Sequence, residues 1–165
     1  ITIPVENADE TLIQKISYVK DLGVKVGAWA WQGTPVLFFE QVIPFVDIIE
    51  YECRYPFGKP VHPGKSPHVI DPIVVDSVER MYGMLKEAER ELEVDLMEDG
   101  GLNASNLERF IARGLSVGEF SSPLLKGPDG RFTPGEGRIA EATRNLKKTI
   151  ADLSDKYRND DGSLK

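Results

Sequence analysis

The stretch from Val94 to Asn106 reads Val-Asp-Leu-Met-Glu-Asp-Gly-Gly-Leu-Asn-Ala-Ser-Asn. Its first residues predict a strand that runs into Glu98 and Asp99, its glycines predict a tight turn, and Asn103 or Ser105 can cap a helix. A carboxylate at the mouth of a strand, followed by glycines whose amides face outward, can do chemistry with Asp99 while an anion is held nearby. Ordinary turn chemistry is the alternative explanation of the Asp-Gly-Gly sequence.

Strand-like and helix-like segments alternate along the rest of the chain. The predicted strands are Ile1 to Glu6, Val24 to Trp31, Val46 to Cys53, Val94 to Met97 and Val117 to Ser121. The predicted helices are Leu12 to Leu22, Pro35 to Val42, Val75 to Leu92, Ser105 to Arg113 and Ile139 to Tyr157. This alternation is the pattern of a parallel sheet covered by helices.

The third predicted strand decides between an open sheet and a closed barrel. In Ile49-Glu50-Tyr51-Glu52-Cys53-Arg54 every even position is charged. A parallel strand covered by helices on both faces should be apolar on both, so one charged face indicates the lumen of a barrel. An edge strand with one solvated face is the alternative. We therefore predict an α/β fold of the β/α (TIM) barrel type, with five of its eight strand-helix units in residues 1–158 and a frayed polar tail in residues 159–165.

Composition narrows the class of protein. With 165 residues, 41% of them hydrophobic, the chain is expected to form one domain with a substantial core. The single cysteine, Cys53, excludes an internal disulfide framework and fits a reducing, cytoplasmic location. No apolar run reaches the ~20 residues of a membrane span. The net charge of -7 argues against nucleic acid and acidic membrane surfaces as partners.

With these units in order, the chain resembles the ribulose-phosphate 3-epimerase family from its fourth barrel strand to its end. The resemblance rests on four motifs in the family's order: Val26-Gly27 with Gly33-Thr34-Pro35, Val46-Asp47-Ile48, Asp99-Gly100-Gly101 with Asn106, and the layout from Gly114 to Ser122. It implies an eight-stranded β/α barrel that moves a proton at the carbon next to a ketose carbonyl. The expected ligand is a small sugar or sugar phosphate.

The resemblance also implies roles for particular residues. In the family two aspartates act as acid and base, usually around a divalent metal that stabilises the enediolate, since a weak carbon acid needs its developing oxyanion to be met. Asp99 takes the position of one aspartate and of a metal ligand, with Zn, Mn or Fe as the expected ion. Gly100 and Gly101 lie where amides bind phosphate, and Ser121-Ser122 align with the Gly-Ser that completes the phosphate cradle.

The chain also departs from the family pattern. The family's second aspartate and its metal-binding histidines belong to strands one to three, which these residues do not contain, and the chain starts with Ile1 in a strand-like run. A homo-oligomer or a missing N-terminal segment is therefore expected to complete the barrel. Pro4 and Glu6 replace a histidine-glutamate pair, Glu52 replaces a methionine, and Ser121 replaces a glycine. Phosphate as the substrate handle is left open.

Further residues are candidates for substrate binding. Arg54 can neutralise Glu52 or bind an anion, and Lys59 lies in a proline-rich loop. That loop also carries Lys65 and the histidines His62 and His68, which can form a lid or be solvated. Glu6 and Glu119 can belong to the site or be solvated loop-edge residues. Trp29 and Trp31 can stack on a sugar or fill the core.

Two functions follow from these residues. The first is a carbohydrate epimerase or isomerase that acts on a ketose or ketose phosphate. The alternative is a non-catalytic sugar- or anion-binding relative whose phosphate loop has changed. A Schiff-base aldolase is disfavoured, because no lysine ends a predicted strand and Lys25 begins one.

Overall fold

The computed structural model describes residues 1–7, 11–53, 72–120, 122–125 and 136–165 of the chain. Within these ranges the strands are β1 Thr2–Pro4, β2 Gly27–Trp31, β3 Ile48–Glu52, β4 Asp95–Asp99 and β5 Val117–Glu119. The α-helices are α1 Leu12–Asp21, α2 Pro72–Glu87, α3 Leu107–Ile111, α4 Ser122–Leu125 and α5 Glu136–Tyr157. Short 3-10 turns cover Val5–Asn7 and Val36–Phe39.

The strands form one parallel sheet in the order β1-β2-β3-β4-β5. Each strand pairs with the next one along the chain, whereas a doubly wound sheet reverses its strand order. This winding is that of a β/α barrel, so the predicted fold class is confirmed as part of a TIM-barrel-like α/β fold. β3 lies at the centre of the sheet, which excludes an edge position as the cause of its charged face.

The two faces of the sheet differ sharply in burial. Alternate residues of a strand point to opposite faces. On the helix-facing side, Ala28, Ala30, Ile49, Tyr51 and Leu96 are at most 2% exposed. We call the other side the open face; its strand residues at the carboxyl half of the sheet are Trp29, Trp31, Glu50, Glu52, Met97, Asp99, Val117 and Glu119. Most of these side chains are half-buried, so this face keeps access to solvent.

The hydrophobic core lies between the helix-facing side and the helices. α2 buries apolar residues along its length, among them Val74, Val75, Val78, Met81 and Leu85. Residues at this spacing fall on one side of a helix, so α2 has a continuous apolar stripe toward the sheet. α1 and α3 bury smaller sets, which are Leu12 and Ile16, and Leu107, Phe110 and Ile111.

Helix ends differ from the sequence-based boundaries for local reasons. The second helix was predicted to reach Leu92, but α2 ends at Glu87. Glu89 adopts the left-handed conformation at φ 55°, and the Arg90 N–H donates to the Leu85 carbonyl. Such a turn closes a helix, and it is hard to predict when its left-handed residue is not glycine. No helix was predicted between Ser121 and Ile139, but α4 begins there at Ser122.

The expected fraying of the tail is not observed. The guanidinium of Arg158 donates to the carbonyls of Gly114 at 3.1 Å and Leu115 at 2.7 Å. The Leu164 N–H donates to the hydroxyl of Tyr82 at 3.3 Å, and Arg158 and Leu164 form an antiparallel bridge. A polar composition predicted fraying, whereas these long-range hydrogen bonds fix the segment to the domain.

The aspartate that enters β3 stabilises the opposite, amino-terminal edge of the sheet. The carboxylate of Asp47 accepts the Val26 N–H at 2.9 Å and the ammonium of Lys20 at 3.2 Å. Burial raises the pKa of Asp47, but the Val26 hydrogen bond and the Lys20 charge outweigh it, so this pKa lies below its ordinary value. Barrel enzymes place their active sites at the carboxyl edge of the sheet and not at this one, so we assign Asp47 a structural role.

We expect Asp47→Asn to lower the free energy of unfolding by about 1–2 kcal/mol at pH 7, measured by urea denaturation. Since the folded pKa of Asp47 is depressed, its contribution is complete above the unfolded value of 3.8 and is lost as pH falls through the folded value. The difference between variant and wild type should therefore close in acid. Asp21→Asn, at an exposed position of α1, is the control. A difference that widens in acid would contradict this account.

Candidate functional site

The carboxyl ends of β2 to β5 bring acidic and aromatic residues together. The strand register aligns Trp31 with Glu52, Glu52 with Asp99, and Asp99 with Glu119. Neighbouring strands lie about 4.8 Å apart, so these four side chains form a row along one edge of the open face. Barrel enzymes place their chemistry at this edge.

A second row lies one layer deeper on the same face. Here the register aligns Trp29 with Glu50, Glu50 with Met97, and Met97 with Val117. Burial raises the pKa of Glu50, and the negative charges of Asp99 and Glu119 raise it further. The three carboxyl groups therefore form one electrostatic group. Glu50 was not among the site residues predicted from the sequence, although the charged even positions of β3 were the signal that could have found it.

The turn after Asp99 has the backbone geometry that its glycines allow. Gly100 has φ 102° and Gly101 has φ 78°, a region that other residues enter only with strain. The side chain of Asn106 accepts the Asn103 N–H at 2.9 Å and donates to the Gly101 carbonyl at 3.0 Å. The turn is thus braced by an asparagine side chain.

The prediction that Asn103 or Ser105 caps the following helix is wrong. α3 begins after Asn106, so neither Asn103 nor Ser105 occupies the cap position. The side-chain oxygen of Asn103 instead accepts the Ser105 N–H at 2.9 Å, which forms a local turn. The helix itself spans only Leu107–Ile111.

The two members of the acidic pair lie on opposite faces of β4. Asp99 is half-buried on the open face, whereas Glu98 is fully buried on the helix-facing side.

Burial raises the pKa of the Cys53 thiol far above its ordinary value, and the neighbouring Glu98 carboxyl raises it further. Because the thiolate is the nucleophilic form, Cys53 is not suited to nucleophilic chemistry.

Glu6 has a bracing contact at the end of β2. Its carboxylate accepts the Trp31 N–H at 2.6 Å and the Thr34 hydroxyl at 2.8 Å. On the other side of this turn, the Tyr51 hydroxyl accepts the Gly33 N–H at 3.1 Å. These bonds hold the Gly-Thr-Pro turn, and with it the backbone of Trp31.

The two tryptophans lie together on the open face and not in the helix-side core. Their ring centroids are 5.0 Å apart, with an edge-to-face angle of 75°. Both side chains are half-buried. An indole in this setting offers an apolar surface beside the row of carboxylates. Trp31 lies directly next to Glu52 in this row.

The structure does not describe every residue that the sequence predicted for the site. Arg54, Lys59, His62, Lys65, His68 and Ser121 lie outside the described residues. Ser122 begins α4. Within the described ranges, no three histidine, cysteine, aspartate or glutamate residues are grouped so that they could hold a metal ion. The described residues therefore do not supply the metal site that the resemblance implies.

No helix in the described part of the chain is both long enough and apolar enough to cross a membrane.

Comparison with known proteins gives a distant match to an enzyme. The chain matches no protein-family model. It is 28% identical over 130 residues to the ribulose-phosphate 3-epimerase of Synechocystis sp., an alignment that covers 78% of this chain and 53% of that enzyme. The chain thus spans about half the length of the curated relative it matches. These comparisons show a distant relationship between this chain and a ribulose-phosphate 3-epimerase.

Proposed function

We propose that this chain belongs to a carbohydrate epimerase or isomerase that transfers a proton at the carbon next to a ketose carbonyl. The observation that carries the proposal is the position of Asp99, which is half-buried on the open face at the carboxyl edge of a parallel sheet. The distant relative with an epimerase name supports the same class of reaction.

Asp99 is proposed as the acid-base group. A proton next to a carbonyl is weakly acidic, so a carboxylate must reach it directly and the developing oxyanion needs donors close by. The left-handed turn at Gly100 and Gly101 follows Asp99 directly and carries no side chains that would keep a substrate from its amides. Glu50 is the neighbouring carboxyl group, and its raised pKa suits a proton donor.

No step is assigned to a metal. The resemblance implies a divalent ion at Asp99, but the described residues provide no group of ligands around it. Zn²⁺, Mn²⁺ and Fe²⁺ therefore enter the experiment as additions whose effect is measured.

Solvent exchange tests the proposal directly. The protein is incubated in D₂O with a panel of ketoses and ketose phosphates, with and without each metal ion, and deuterium next to the carbonyl is followed by NMR. We expect exchange into at least one ketose, together with its epimer or isomer. The matching alditols, which lack the carbonyl, are the control. Absence of exchange throughout the panel would contradict the proposal and favour a non-catalytic sugar- or anion-binding protein.

A further inference from the structure

The backbone at the end of β2 points an N–H group toward β1 beyond the point where β1 ends. The Gly27 N–H donates to the Ile1 carbonyl at 2.7 Å. Strand N–H groups two residues apart point to the same side, so the Trp31 N–H also faces β1. β1 ends at Pro4, which is aligned with Trp29, and the chain then enters a 3-10 turn. The backbone of β1 therefore stops before it reaches the level of Trp31.

The carboxylate of Glu6 takes the place of a strand carbonyl as the acceptor. Its Oε1 atom accepts the Trp31 N–H at 2.6 Å and the Thr34 hydroxyl at 2.8 Å. The Thr34 N–H in turn donates to the Trp31 carbonyl at 3.0 Å. A hydrogen bond to a charged acceptor is stronger than one between neutral groups. One carboxylate oxygen thus fixes both the end of β2 and the turn that follows it.

Trp31 carries this restraint to the carboxyl edge of the sheet, where the proposed site lies. Its side chain is half-buried on the open face and is aligned with Glu52 on the neighbouring strand. Its ring meets that of Trp29 edge to face, at a centroid distance of 5.0 Å. A backbone that is fixed before a ligand arrives limits the orientations of its side chain, so less conformational freedom is lost on binding.

We propose that Glu6 is a positioning residue of the proposed site, which holds Trp31 in the orientation that ketose binding requires. This inference rests on the proposed function for the place of the site and for the ketose as its ligand. Glu6 acts through Trp31 and takes no part in proton transfer. The Glu6 side chain is exposed, so its replacement leaves the hydrophobic core closed.

Circular dichroism reports on the orientation of Trp31 without a ligand. The chain has two tryptophans, and indoles in contact couple their electronic transitions, which gives paired bands of opposite sign. The amplitude of these bands depends on the distance and angle between the rings. We expect Glu6→Ala to weaken them, because it removes the acceptor of the Trp31 N–H. Glu6→Gln keeps a side-chain oxygen that can accept the same hydrogen bonds, so it should keep the bands.

Asp47→Ala is the matched control. The carboxylate of Asp47 also accepts a backbone N–H, from Val26, and an additional side-chain donor, from Lys20, but at the opposite edge of the sheet. Its loss should lower stability and leave the indole bands of the folded protein unchanged. The control therefore separates an effect on the orientation of Trp31 from a general loss of stability.

Calorimetric titration with D-ribulose and D-ribulose 5-phosphate measures the effect on binding. Glu6→Ala should raise the Kd of the tighter ligand about fivefold, because the Trp31 side chain and its turn must then be ordered by the ligand. Glu6→Gln and Asp47→Ala should stay within about twofold of wild type. The rate of deuterium exchange at saturating ligand should change by less than about twofold in Glu6→Ala, since positioning affects binding and not proton transfer.

The outcomes separate this inference from the proposed function. Unchanged indole bands or an unchanged Kd in Glu6→Ala would overturn the inference, and so would a wild-type protein that binds neither ligand. Equal losses in Glu6→Ala and in either Glu6→Gln or Asp47→Ala would also overturn it. If the wild type exchanges deuterium and Glu6→Ala binds as tightly, the proposed function stands and the inference is wrong. If binding depends on Glu6 as expected but the wild type exchanges no deuterium, the inference stands and the proposed function is wrong.

Discussion

Replacing Asp99 with asparagine should lower the rate of deuterium exchange into the best ketose substrate by about 10²- to 10⁴-fold. Asparagine keeps the size of the side chain but cannot take up the proton, so the loss should appear in the rate at saturating ketose. The rate is measured by NMR in D₂O, and circular dichroism checks that the fold is retained. Ketose binding, followed by tryptophan fluorescence, should change much less.

Asp95→Asn is the matched control for this variant. Asp95 lies on the same strand and the same face as Asp99, but at the amino end, about 13 Å away. Its exchange rate should stay within about twofold of wild type. If Asp99→Asn also retained most of its rate, Asp99 would not be the acid-base group. If both variants fell equally, the loss would come from stability and not from chemistry.

The placement of Asp99 could be predicted because it depends on local patterns. A period of two in β3 and a period near 3.6 in α2 are readable from the sequence, and parallel winding follows from their alternation. The same period explains Glu98, since adjacent strand residues point to opposite faces. The strand predicted from the sequence ended at Met97, with Glu98 and Asp99 at its mouth and the turn at the glycines that follow. β4 instead includes both residues, and its pleat separates them.

Residues whose roles depend on distant partners could not be predicted in this way. Glu6 contacts Trp31 across 25 positions, and Arg158 reaches Leu115 across 43. No periodicity along the chain encodes such a contact. Glu6 could therefore not be assigned to the site or to the surface, and the segment after Arg158 was expected to fray. The end of α2 was missed for another reason. The left-handed turn at Glu89 that ends this helix has no glycine to mark it in the sequence.

Gly114 lies at another contact between residues far apart in the sequence, with Tyr82. It lies in the segment between α3 and β5 at φ 104°, where a side chain is strained. A Cβ atom on it would lie 2.3 Å from the ring of Tyr82, which is mostly buried on α2. The hydroxyl of Tyr82 accepts the Leu164 N–H, so this ring is held from its other end as well. The ring therefore has little room to move aside.

Gly114→Ala should lower the free energy of unfolding by about 3 kcal/mol, because a left-handed alanine costs about 1–2 kcal/mol and overpacking costs about as much again. In a domain of this size, this loss would be measured by urea denaturation and as a Tm lower by about 6–12 °C.

Gly23→Ala isolates the backbone strain. The φ of Gly23 is 74°, but nothing lies within 4 Å of the added Cβ, so this variant should lose only about 1 kcal/mol. Gly83→Ala, inside α2 with open space around it, should instead gain about 0.5–1 kcal/mol. Equal losses at Gly114 and Gly23 would show that Tyr82 yields to the new methyl group, and the stability of this region would then rest on backbone conformation alone.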